Sequence, residues 1–92
     1  METTIEEFKK KINSFRNLKS NWDSYGAAPP SEIAIKNCLK GLEDIDKRGF
    51  VPDWVEPGSD NSIIMEVNVG DYFEEWDFYN DGEVEMIKLS FN

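Results

Sequence analysis

Histidine is absent from this 92-residue chain, and cysteine occurs once. Without imidazole there is no Ser-His-Asp or Cys-His arrangement, and the commonest general base is missing. A zinc site needs several thiolate or imidazole ligands, so one cysteine and no histidine exclude the usual sets. One cysteine also forbids an internal disulfide, and no apolar run approaches the length that spans a bilayer. Met1 to Lys11 is charged on every side and lacks the apolar core of a signal peptide. Together with the lone thiol Cys38, read as a small buried hydrophobe, these features place the protein in the cytoplasm.

Basic residues are also scarce, but in one half only. Residues 1–50 hold eight acids and nine bases, whereas residues 51–92 hold eleven acids and the single base Lys88. The C-terminal half therefore carries essentially the whole net charge of −9. A polyanion of this kind opposes direct binding to nucleic acid or to an anionic membrane. Lys9, Lys10, Lys11 and Arg16 are then a solvated helix face rather than a phosphate-binding patch.

What remains is an apolar pattern strong enough for one domain over residues 1–92. Aromatic residues make up 13% of the chain, and such large rings supply burial that a small core otherwise lacks. Ile5, Phe8, Ile12, Phe15 and Leu18 recur at spacings of three and four, which predicts a helix over about 4–20. Thr3 or Thr4 is placed to cap it, with Glu6 and Glu7 in its first turn. A second stripe, Ile35, Cys38, Leu39, Leu42 and Ile45, predicts a helix over about 31–47. Ser31 is its N-cap and Gly49 its stop. Gly41 either weakens that helix or marks a close contact.

After Gly49 the period changes to two. Pro52 and Pro57 flank an edge-type strand over about 51–56. Ile63, Met65, Val67 and Val69 alternate along a strand over about 62–69. Tyr72, Trp76 and Phe78 oppose Phe73, Glu75, Asp77 and Tyr79 on a strand over about 72–79. Asn80-Asp81-Gly82 is a hairpin signal that leads into a strand over about 83–91. Helices first and strands afterwards indicate an α+β fold. Two antiparallel N-terminal helices would pack on one face of a three- or four-stranded antiparallel C-terminal sheet.

Between the helices lies the most distinctive stretch, Leu18 to Ser31. Trp22 stands one turn beyond Leu18, which predicts that its ring packs on the helix pair or the sheet. Asp23 is placed to cap a turn through its own backbone. The pattern L-x-x-x-W-D-x-Y-G-A-x-x-P-S occurs as Leu18, Trp22, Asp23, Tyr25, Gly26, Ala27, Pro30 and Ser31. Later come I-x-M-E-V, beginning at Ile63, and the DG-x-V turn at Asp81-Gly82. In these features the chain resembles a family of small uncharacterised bacterial and phage-associated proteins. The likeness covers most of the chain and departs from the pattern near Ser24, where members usually have glycine. It implies a small accessory protein of bacteria or mobile elements, and no catalytic residue, activity or cofactor.

The acids are the remaining candidates for chemistry. No phosphate loop, Gly-rich dinucleotide turn or nucleophile elbow is present. Asp77 to Gly82 has the outline of a calcium loop, but Tyr79 and Lys88 stand at its third and twelfth positions, where ligands are needed. The expectation is a non-enzymatic protein with no metal and no cofactor. Acids interleaved with aromatics along adjacent strands suit a protein partner with a basic surface, occluded much as nucleic-acid mimics do. Asp71, Glu74, Glu75, Asp77, Asp81, Glu83 and Glu85 would supply charge, and Tyr72, Trp76 and Tyr79 would be anchors. An inhibitor, antitoxin, immunity protein or anti-defence factor is the role expected. The alternative is a homo-oligomeric accessory module that dimerises through a sheet edge or an apolar helix face.

Overall fold

The computed structural model describes residues 4–20, 22, 26, 28–58 and 60–90. They form two α-helices, α1 (Ile5–Ser14) and α2 (Glu32–Lys47), then four strands, β1 (Trp54–Pro57), β2 (Ile63–Asn68), β3 (Tyr72–Phe78) and β4 (Val84–Ser90). The fold is α+β, with an antiparallel sheet in the order β1-β2-β3-β4.

Helix α1 starts where Thr4 Oγ1 accepts the Glu7 N–H at 3.2 Å, satisfying one of the donors that a first turn leaves open. It is shorter than its apolar stripe. The chain tightens into a 3-10 turn over Phe15–Asn17, and Leu18 is already extended. The stripe still serves the core, since Phe8, Ile12 and Phe15 are all buried. Its early end removes Trp22 from the helix. Trp22 Nε1 instead donates to the Ala28 carbonyl at 3.0 Å, closing the connection onto itself. Asp23 and Tyr25, which the sequence singled out, lie outside the described residues.

Helix α2 is held at both ends. Ser31 Oγ accepts the Ala34 N–H at 3.2 Å, and beyond the C-terminus Gly49 takes φ +88° while Phe50 N–H reaches the Ile45 carbonyl. Its buried face is Ala34, Ile35, Cys38, Gly41, Leu42 and Ile45. The apolar stripe missed Ala34 and Gly41 because small residues give a weak hydrophobic signal. Gly41 resolves as a close approach. A Cβ there would lie 2.7 Å from Phe78 Cζ and 3.7 Å from Met65 Cε, so only glycine lets α2 come this near to β2 and β3. Cys38 is fully buried among apolar neighbours, and that burial pushes its thiol far above the usual range, which makes it inert.

The sheet contributes Val55, Ile63, Met65, Val67 and Phe78 to the same core. Register explains the set. Val55, Met65, Trp76 and Met86 stand in one cross-strand row, and Pro57, Ile63, Phe78 and Val84 in the next. Alternation puts these rows on one face and the intervening residues on the other. Strand β1 begins at Trp54 and ends at Pro57, later than the proline spacing suggested, and it lies at a sheet edge.

The β3–β4 turn has Gly82 at φ +96° and a Tyr79 N–H to Glu83 carbonyl bond at 2.8 Å. That is a three-residue hairpin loop with a left-handed last residue, as Asn80-Asp81-Gly82 implied. Ser31 Oγ donates to the Asn80 carbonyl and Asn37 Nδ2 to the Gly82 carbonyl, so this loop is fastened to the start of α2.

Candidate functional site

Pairing register sorts the ten acidic and aromatic candidates into separate places. On the face shared with Met65 and Phe78 lie Tyr72, Glu74 and Trp76. On the opposite face lie Glu75 and Asp77 in β3 and Glu85 in β4, with Tyr79 following β3 in the same alternation. Asp71 is exposed in the β2–β3 turn, at the other end of β3 from Asp81 and Glu83.

Glu74 is a correction to the expected contact surface. Its side chain is 2% exposed, and both carboxylate oxygens accept from Arg48, each at 2.8 Å. Trp76 Nε1 donates to the same carboxylate at 3.1 Å. The Arg48 guanidinium, joined by the Trp76 N–H, holds Glu74 below the usual carboxylate range against the opposing effect of burial. Sequence alternation places Glu74 beside Trp76, but nothing in the sequence announces Arg48, which is 26 residues away.

Trp76 and Tyr72 are likewise committed within the chain. The Trp76 indole stacks on Phe78 with centroids 6.1 Å apart and packs against the core. Lys88 Nζ lies 5.3 Å from the Tyr72 ring centroid, a cation–π contact. The two rings are half-buried packing groups.

On the opposite face the acids concentrate. Asp77 stands directly across from Glu85, and Glu66 directly across from Glu75. Like charges in facing sheet positions repel. Asp77 shows the effect: partial burial first, then Glu75, Glu85 and Asp60, push its carboxyl above the usual value. Tyr79 is raised too, by partial desolvation and by Asp77, Glu85 and Asp60. Asp60 thus joins the group, and sequence reading did not name it. It sits in the turn before β2, where a bridge to Ala28 fixes the loop and Ser62 Oγ hydrogen-bonds its carboxylate. The fold of this turn back toward Asp77 was not legible in the sequence.

No strand places a lysine or arginine on this face. Trp54 and Glu56 come from β1, Ile64, Glu66 and Asn68 from β2, and Ile87 and Leu89 from β4. Lys11 of α1 reaches Glu56 at 2.7 Å, which compensates one acid at the β1 edge. The other basic residues of the helices are partly spent in the same way, Lys9 on Glu6 and Arg16 on Glu32. The Arg16 guanidinium holds Glu32 below the usual carboxylate range.

Among the described residues no pocket opens, and no group of three acidic or thiol side chains converges as metal ligands would. No helix among them is long and apolar enough to cross a membrane. The site is therefore a surface: an acidic centre of Glu75, Asp77, Glu85 and Asp60, flanked by Tyr79, Trp54 and Ile64. No protein-family profile, curated protein or solved structure matches this chain.

Proposed function

We propose that the protein is a small, non-enzymatic inhibitor that occludes a basic surface of a partner protein with the open face of its sheet. The core is built on the face that carries Met65 and Phe78, and the acidic residues lie on the opposite face. The observation that carries this reading is the uncompensated cluster around Asp77. Its carboxyl is raised by burial and by three neighbouring acids, a local cost to stability that a cationic partner would relieve.

Long-range attraction to this face would steer encounter, and the half-buried rings of Tyr79 and Trp54 would supply contact area. A partner that ordinarily binds nucleic acid has the required basic surface. The roles that fit are antitoxin, immunity protein or anti-defence factor, acting in the cytoplasm.

The test is a tagged pull-down from a host lysate, with the wild type beside a Glu75→Lys, Asp77→Lys, Glu85→Lys variant. The expected result is one basic protein retained by the wild type at about 50 mM salt and released at about 500 mM, where charge is screened within a few ångströms. The variant, checked for folding by circular dichroism, should retain none. Equal capture by the charge-reversed variant would end the proposal.

A further inference from the structure

The two edges of the sheet differ. Strand β1 has four residues, ends in Pro57, and has Lys11 of α1 paired to its Glu56. These are the devices that blunt an edge against pairing. Strand β4 has seven residues and no proline, and every one of them is exposed. It carries Val84, Met86, Ile87 and Leu89, each 36–45% exposed, with apolar side chains on both faces of the sheet. Among the described residues no strand pairs with its outer side.

Hydrogen-bond parity shows what that side presents. Tyr79 and Glu83 form a hydrogen-bonded pair, so in the same register Asp77 with Glu85 and Glu75 with Ile87 do likewise. The alternate residues Val84, Met86 and Lys88 therefore turn their backbone N–H and C=O groups toward the open edge.

We infer that this edge pairs antiparallel with the β4 of a second copy of the chain, centred on Ile87, to make one eight-stranded sheet. That register overlaps the whole strand from Val84 to Ser90. It sets Ile87 against Ile87, Glu85 against Leu89 and Met86 against Lys88. Charge selects it from its neighbours. Centring on Glu85 would face two carboxylates directly. Centring on Met86 would leave the two Glu85 side chains two residues apart along the strand, about 7 Å. Centring on Ile87 separates them by four residues, about 13 Å, beyond the screening length of physiological salt. The two Lys88 residues come within two positions of each other, but each ammonium is drawn inward over its own Tyr72 ring and stands opposite its own Glu74.

On the open face Ile87 meets Ile87 at the centre of the junction, and each Leu89 stands opposite the other copy's Glu85. The two acidic clusters flank this junction as one continuous surface. The dimer does not depend on the acidic partner proposed above, and salt separates the two: binding to that partner weakens as salt rises, whereas pairing of two anions holds or tightens.

The experiment is sedimentation equilibrium from about 1 to about 200 µM at low and high salt, together with cysteine cross-linking. The wild type is expected to show a monomer–dimer equilibrium no weaker at high salt. Ile87→Cys should give a disulfide-linked dimer under mild oxidation, because facing residues of a non-hydrogen-bonded pair bring their Cβ atoms to about 5 Å. Val84→Cys should not, since the two copies of that position lie about 20 Å apart in this register. Met86→Pro removes only an outward N–H and should shift dissociation by about tenfold or more toward monomer. Ile87→Glu, an exposed change that leaves the core intact, should do the same. A wild type monomeric throughout, or Val84→Cys linking as readily as Ile87→Cys, would overturn the assignment.

Discussion

Arg48 and Glu74 allow a mutational test in which the order of effects matters more than their size. Replacing Glu74 with glutamine removes one of the two 2.8 Å hydrogen bonds from Arg48, worth about 1.5–3 kcal/mol in comparable settings, and leaves the other to a neutral acceptor. The stranded Arg48 side chain is 40% exposed and can rehydrate, which brings the net loss down to about 2 kcal/mol. Replacing Arg48 with methionine does the reverse. It leaves a carboxylate that is 2% exposed with the Trp76 N–H and only the more distant charge of Lys88, and a buried charge that loses its direct partner costs about 3–5 kcal/mol. A domain of this length has about 5–14 kcal/mol in total, so Arg48→Met removes a large fraction and Glu74→Gln a moderate one.

The pH dependence separates the two variants further. In the wild type the Glu74 pKa is lowered, chiefly by Arg48. Its stabilising contribution is therefore complete above the ordinary carboxylate value and is lost as pH falls through the lowered one. The gap between wild type and Glu74→Gln should close only below the ordinary value, about 4.3. In Arg48→Met, burial without the guanidinium raises the carboxyl, so that gap should begin to close above about 4.3 as the group takes up its proton. Urea unfolding at pH 7, 5 and 4, followed by tryptophan fluorescence, reads both effects. A 2 kcal/mol loss moves the midpoint by about 1–2 M. Equal losses at pH 7, or gaps that close over the same pH range, would refute the reasoning.

Two further outcomes are expected. Gly41→Ala gains about 1 kcal/mol of helix propensity, but its methyl would sit 2.7 Å from Phe78 Cζ in a ring that cannot swing away. Overpacking at about 1–3 kcal/mol wins, so the melting temperature should fall by about 5 °C; an unchanged or higher value would show that the helix–sheet contact is loose. Asp77→Asn should raise the melting temperature at pH 7 and have little effect in acid. A raised native carboxyl penalises the folded state once pH climbs past the ordinary value, and that penalty is what the amide removes. The same variant should weaken capture of the basic partner, so an Asp77→Asn protein no more stable at pH 7 would count against the repulsive cluster.

Periodicity made most of the architecture readable, and the exceptions have physical reasons. The three-and-four spacing of Phe8, Ile12 and Phe15 marked the face that α1 buries, but it continued through Leu18, where the backbone had already left the helix. Apolar spacing reports burial and not hydrogen bonding, so it overran the end. Alternation in β2 and β3 assigned each side chain to its face correctly, including Glu75 and Asp77 on the open one. It could not reveal which carboxylate was spent. Glu74 and Glu75 are neighbours in sequence, yet Arg48 neutralises one while the other joins the acidic surface. Pairings across 26 residues, like the approach of Asp60 to Asp77, are properties of the packed chain.

The fastening of the last hairpin to the start of α2 has a consequence for how the chain assembles. Ser31 both caps the helix and reaches the Asn80 carbonyl, 49 residues on, and Asn37 reaches Gly82 across 45. A ribosome delivers α2 long before it delivers the loop that these side chains hold. The early helix must therefore wait for these two bonds until residues 80–82 arrive. Contacts this distant carry a large loop-closure cost before they return anything, which slows folding relative to a helical bundle of equal size. Asn37→Ala is then a kinetic probe, since Ser31 also caps α2. If the junction forms only after the folding barrier, the variant should unfold faster while its refolding rate stays close to that of the wild type.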